Sequence, residues 1–129
     1  MTPEAGHFLR KARQCLSNAN TILSVSIPDV AAREAYLAGY HAAEAFIFEL
    51  AGKTLKTHKG VRSEFARLTR TDAILREFTS FLARAYELKS IADYGIDPDV
   101  HVSLNDAKDA YGIASRFVAA VADKLSTPV

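Results

Sequence analysis

Two short stretches of this 129-residue chain carry side chains that could do chemistry. In the first, Tyr40 and His41 are neighbours in a run rich in alanine, and imidazole is the side chain whose ordinary pKa lets it exchange protons near neutrality. In the second, Lys89, Asp93 and Tyr94 close an apolar segment with an ammonium that can neutralise a phosphate, a carboxylate and a phenol. Between them, Lys53 to Arg70 holds six Lys or Arg and one acid, Glu64, with His58 set among Lys53, Lys56, Lys59 and Arg62. Loop lysines ahead of a short helix can join its N-terminal amides in holding an anion, so Lys56, His58 and Lys59 are candidate phosphate contacts. Solvated surface charge is the competing reading of that run. For Tyr40 and His41 it is a buried pair bonded between helices. A carboxylate near a helix C-terminus opposes the helix dipole unless a cation compensates, and Lys89 is four residues before Asp93. Asp93 is therefore either a structural ion-pair partner or a functional carboxylate.

Several chemistries lack their residues. No Asp, Glu and His grouping has metal-ligand spacing, and His101 beside Asp97 and Asp99 reads as loop chemistry, so neither a metal nor a cofactor is predicted. Cys15 is the single cysteine, which rules out an internal disulfide and a thiolate cage; its neighbours place it on an apolar helix face as a buried, inert thiol. A glycine-rich phosphate loop and a G-x-S-x-G turn are both missing. Net charge is +1, with 24% charged and 49% hydrophobic residues, which gives no general attraction to nucleic acid and no sign of disorder. The charge is uneven, however: Glu87 to Asp109 holds six acids and two lysines. No apolar run approaches the roughly 20 residues of a membrane span, and Met1-Thr2-Pro3-Glu4 does not read as a secretory signal, so a cytoplasmic protein is expected.

The elements that must position these groups are helices. Apolar residues recur at three- and four-residue steps, and no stretch alternates long enough for a strand. Thr2 and Pro3 start a first helix that ends before Pro28. Asp29 caps a second running to Gly52, a left-handed stop. Ala31, Ala32, Ala35, Ala38, Gly39, Ala42, Ala43 and Ala45 make it the central helix, open to close approach on more than one side. A polar loop from Lys53 to Gly60 leads to a short helix over Val61 to Leu68, and a break follows at Thr69 to Thr71. Asp72 caps the next long helix, which carries Leu75, Phe78, Phe81, Leu82, Ala85, Leu88 and Ala92 through to Tyr94 and ends at Gly95, Asp97 and Pro98. Ser103-Leu104-Asn105-Asp106 is close to a capping box and opens the last helix. The expected fold is all-α, an up-and-down bundle of four long helices plus a short one, in a single domain over 1–129.

Two segments are more specific than helix propensity requires. Ala35-Tyr36-Leu37-Ala38-Gly39-Tyr40-His41-Ala42-Ala43 leads into Lys56-Thr57-His58-Lys59-Gly60, and Ala85-Tyr86-Glu87-Leu88-Lys89-Ser90-Ile91-Ala92-Asp93-Tyr94-Gly95 follows. Together they resemble the HEPN superfamily, in its short stand-alone prokaryotic branch (UPF0332-like), whose members read A-Y-Y-A-x-F-H-A-A, then K-x-H-x-G, then R-x-x-A-D-Y-G. The resemblance covers nearly the whole chain. It implies a helical bundle, a homodimer, and frequent pairing with a small nucleotidyltransferase as toxin and antitoxin. In the active toxin branch it implies a metal-independent endoribonuclease marked by an Arg, four to six residues, then a His.

That mark is not intact. Lys89 stands where the Arg would lie and Tyr94 where the His would lie, with four residues between them. Arg33 and His41 miss the spacing, with seven between. In-line RNA cleavage needs a group that moves protons near neutral pH, and a phenol titrating at about 10 is a poor substitute for imidazole. The reading is therefore a non-catalytic or weakly catalytic module that binds RNA, a nucleotide or a partner protein. Its candidate ligand-binding residues are Tyr40, His41, Lys56, His58, Lys59, Lys89, Asp93 and Tyr94. The alternative is an endoribonuclease in which Lys89 and Tyr94, or His41, supply the chemistry.

Overall fold

Alanine decides the centre of this fold. In the computed structural model, which describes residues 1–95 and 100–126, α1 spans Pro3–Ser24, α2 Pro28–Ala51, α3 His58–Leu68, α4 Phe78–Tyr94 and α5 Leu104–Ser126. A single 3-10 turn, Leu75–Glu77, precedes α4. Helix α2 packs against α1, α3, α4 and α5, and all eight small residues that mark it in the sequence are buried. A close approach is made at Gly39, where an added Cβ would lie 2.7 Å from Cε2 of Phe81 and 3.3 Å from Cδ2 of Phe117. One glycine thereby sets the spacing of α2 from both α4 and α5. Around it the core is aromatic: Phe78 stacks on Phe117 at 4.6 Å between centroids, and Phe65 meets Phe117 at 5.2 Å.

The helix ends follow local chemistry and correct three expectations. Thr2 caps α1, accepting from the Ala5 amide, and Gly52 ends α2 at φ 67° as a left-handed stop. Asp29, however, is not the cap of α2: the helix starts at Pro28 behind Ile27, and Asp29 sits in its first turn. The fixed φ of proline favours that first position more strongly than an aspartate one residue on. Helix α3 begins at His58, three residues earlier than Val61, because Thr57 caps it by accepting from the Gly60 amide at 2.9 Å. His58 and Lys59 therefore belong to a helical turn and not to a loop. Asp72 accepts from the amides of Ile74 and Leu75 at the entry to the 3-10 turn, and α4 follows without a side-chain cap of its own. Ser103 accepts from the Asp106 amide at 3.0 Å, the forward bond of a capping box. Helix α4 stops at Gly95; Asp97, Pro98 and Asp99 lie outside the described residues.

Among the described residues no helix is long and apolar enough to cross a membrane, and no group of three or more His, Cys, Asp or Glu is placed to hold a metal. Cys15 is half-buried against the core. Burial, with Glu34 beside it, pushes its thiol up to about 11.

Candidate functional site

Three helices each contribute a helical-spaced stripe of polar and aromatic residues to one place. On α2 the stripe is Arg33, Tyr36, Tyr40 and Glu44, on α3 His58 and Arg62, and on α4 Tyr86, Lys89 and Asp93. His58 stands at their meeting point because the Thr57 cap starts α3 at that residue. Gly60 suits the same cap: a Cβ there would come within 2.9 Å of the Thr57 hydroxyl oxygen.

The imidazole of His58 is surrounded by rings. Its centroid lies 4.7 Å from Tyr40, 5.4 Å from Tyr86 and 5.6 Å from Tyr36. Its Nδ1 is 2.6 Å from the Tyr36 hydroxyl. The Tyr36 side chain is fully buried, and burial with Tyr40 nearby raises its phenol well above 10. Tyr40 is raised in the same direction, by burial and by Glu44. Burial, then the positive charges of Lys89 and Arg62, hold His58 below its ordinary 6.5, with Glu44 pulling the other way. Arg62 lies over the Tyr86 ring at 5.3 Å, a cation–π contact. Arg62 and Tyr86 also line an open cleft of about 550 Å³ between α3 and α4, with Ser63, Thr79 and Glu87 on its walls.

The cations at the α4 end are tied down. Lys89 donates to Asp93 at 2.6 Å, and Arg33 reaches the other carboxylate oxygen at 3.5 Å, joining α2 to the end of α4. Asp93 thus has the structural partners that its position near a helix C-terminus calls for. Tyr94 is 76% exposed, with its ring 5.9 Å from the Lys89 ammonium. His41 bonds Glu44 through Nδ1 at 2.7 Å and meets the edge of Tyr40, one residue away from the ring cluster's centre. Lys56 and Lys59 are exposed, and no hydrogen bond or ion pair joins them to the rings. Lys53 and Arg67 are both engaged by the buried carboxylate of Glu64.

Of the residues picked from the sequence, the structure therefore gathers Tyr40, His58, Lys89 and Asp93 at one site, with His41 against its border. Tyr94, Lys56 and Lys59 stand at the surface. Tyr36 and Tyr86 were missed as site residues, and Arg62 entered only as part of a basic run. The signal was present in the four-residue step from Tyr36 to Tyr40 and the three- and four-residue steps from Tyr86 to Lys89 to Asp93. A larger cleft of about 620 Å³ lies between α4 and α5, lined by Phe78, Phe81, Ile113, Arg84 and Arg116. Its charged lining is Glu77, Arg84 and Arg116, with no histidine or tyrosine among them, so its size does not make it the chemical centre.

Comparison with known proteins agrees with the all-α bundle. A family model described as the HEPN domain matches residues 5–125. A UPF0332 protein of Gloeobacter violaceus is similar at 29% identity over 119 residues, covering 92% of this chain and 93% of that protein.

Proposed function

The chain belongs to the HEPN domain family, and we propose that it acts as a non-catalytic or weakly catalytic binding module that holds RNA or a nucleotide at the site where α2, α3 and α4 meet. One observation carries this reading: His58 sits among three tyrosine rings with the guanidinium of Arg62 and the ammonium of Lys89 beside it. Aromatic faces take bases in a sequence-tolerant way, and clustered cations take phosphate, which is the usual division of labour in single-strand recognition; the half-buried Tyr40 and Tyr86 are the faces available here, Tyr36 being fully buried. The family resemblance adds the setting, a homodimer paired with a nucleotidyltransferase as toxin and antitoxin.

Cleavage is the less favoured reading because its candidates are engaged elsewhere. Lys89 is bonded to Asp93 and His41 to Glu44, while Tyr94 offers a phenol at the surface. In a binding assay with a short single-stranded RNA, His58→Ala and Arg62→Ala are each expected to weaken affinity by about tenfold, the size of one charge-assisted hydrogen bond. Unchanged affinity in both variants would remove the site from RNA recognition. A parallel incubation of RNA in chelator, with wild type, Lys89→Ala, Tyr94→Phe, His41→Ala and His58→Ala, tests the ribonuclease alternative. Cleavage by the wild type that one variant abolishes would establish it. Sedimentation across a concentration series checks the dimer, and a monomer throughout would exclude it.

A further inference from the structure

The position of one proton at this site follows from Tyr36. Its ring is fully buried, and its hydroxyl meets Nδ1 of His58 at 2.6 Å. A buried hydroxyl that donates to nothing loses a hydrogen bond it had in water, so the arrangement favours Tyr36 as the donor and Nδ1 as the acceptor. Burial that keeps the phenol protonated works in the same direction. A neutral imidazole accepting at Nδ1 carries its own proton on Nε2. Among the described residues no buried side-chain nitrogen or oxygen lacks a partner, and none of the bonds described above uses Nε2; that atom therefore faces outward with an N–H to give. In this state it has no outward lone pair with which to accept a proton from a ribose hydroxyl.

The charges around it suit a single phosphate more than a long backbone. Arg33 and Lys89 share Asp93, Lys53 and Arg67 share Glu64, and Arg84 pairs with Glu87. Arg62 enters none of these pairs and lies against Tyr86 beside His58. A polymer gripped along its length needs a row of such unpaired cations, and against the rings there is Arg62, with Lys56 and Lys59 standing at the surface. Building on the RNA- or nucleotide-binding reading of this site, we propose that Tyr36 is a positioning residue that fixes His58 as an Nε2–H donor beside Arg62, and that His58 and Arg62 receive a terminal phosphate, with the Lys89–Asp93 pair at its border. A mononucleotide and an RNA end share that chemistry.

The test uses the full chain labelled with 15N, reading the His58 ring by long-range proton–nitrogen correlation. The wild type is expected to show the proton on Nε2, and Tyr36→Phe to show a mixture of the two tautomers while its melting remains cooperative. A proton on Nδ1 in the wild type would overturn the proposal. Adenosine 5′-monophosphate and RNA decamers with either a 5′-phosphate or a 5′-hydroxyl are then titrated against the same signal. Both phosphorylated ligands are expected to shift His58 and to bind at least about tenfold more tightly than the hydroxyl-ended decamer. Response to the monophosphate alone would identify the free nucleotide as the source of the phosphate, and response to the phosphorylated decamer alone the RNA end. Equal binding of the hydroxyl-ended decamer would refute the terminal-phosphate inference and leave RNA binding standing; binding of none of the three would remove both. His58→Gln keeps a donor near the Nε2 position but cannot relay a proton. It is expected to bind the phosphorylated ligands within about threefold of wild type while His58→Ala loses about tenfold. A glutamine variant as weak as the alanine one would refute the donor role.

Discussion

At the scale of single residues, His58 links the site to the stability of the fold. Its folded pKa is depressed below 6.5, so the unfolded chain binds more protons as the pH drops through that value. The stabilising contribution of neutral His58 is complete above 6.5 and is lost as the pH falls through 6.5 toward the folded value. Thermal melting at pH 7.5 and 5.5 is expected to show a larger drop for wild type than for His58→Gln, and equal drops would mean that the imidazole is not held neutral. Tyr36→Phe removes only the bond to His58 and is expected to cost about 1 kcal/mol in denaturant unfolding. Much of this site was legible as residue types: Tyr40, His58, Lys89 and Asp93 were visible as candidates from the sequence. The missing part was which helix faces meet. Tyr36 looks like one more apolar residue on an alanine-rich helix until α3 places an imidazole on its hydroxyl. His41, chemically identical to His58, turns instead to Glu44 on its own helix.

At the scale of elements, the helices were readable because their apolar period is strong, whereas their first turns depended on competing caps. Proline outcompeted Asp29 for the start of α2, and Thr57 with Gly60 moved the start of α3 back to His58. That second shift matters most, since it turns a basic loop into a rigid turn. Helix packing depends on Gly39. Gly39→Ala would push a methyl into Phe81, which is buried and has no free end to swing away, and is expected to cost about 1–3 kcal/mol of stability by denaturant unfolding. A cost near zero would mean that α2 and α4 can separate without loss. Helix α3 is tied to the preceding loop through Glu64, whose carboxyl Arg67 and Lys53 hold at about 2, below its ordinary 4.5. A depressed carboxyl stabilises above 4.5 and loses that contribution as pH falls toward 2. The melting difference between wild type and Glu64→Gln is therefore expected to be largest near neutrality and to close between pH 4.5 and 2.

For the whole molecule, the internal pairing of charge matters more than the total. The segment from Lys53 to Arg70 looks like a nucleic-acid surface in the sequence, but two of its six cations are committed to Glu64 and, of the other four, Arg62 is the one held against the ring cluster. RNA affinity is accordingly expected to fall only gently with salt, with a log–log slope of about 1 between 50 and 200 mM, where a protein covering many phosphates gives a far steeper line. A steep slope would point to a second, extended contact. Sequence alone could not show this, because Lys53 and Glu64 are eleven residues apart and meet only when α3 docks.

Cys15 has a practical value beyond its place in α1. With its thiol pushed up to about 11, far less of it is thiolate at neutral pH than of an ordinary exposed cysteine. The chain is in effect a cysteine-silent background. A single introduced cysteine at an exposed position such as Ser80, on the rim of the cleft between α4 and α5, would take a fluorophore or spin label in preference to the native sulfur. Distances between copies, or between this chain and a captured partner, then become measurable without first removing Cys15.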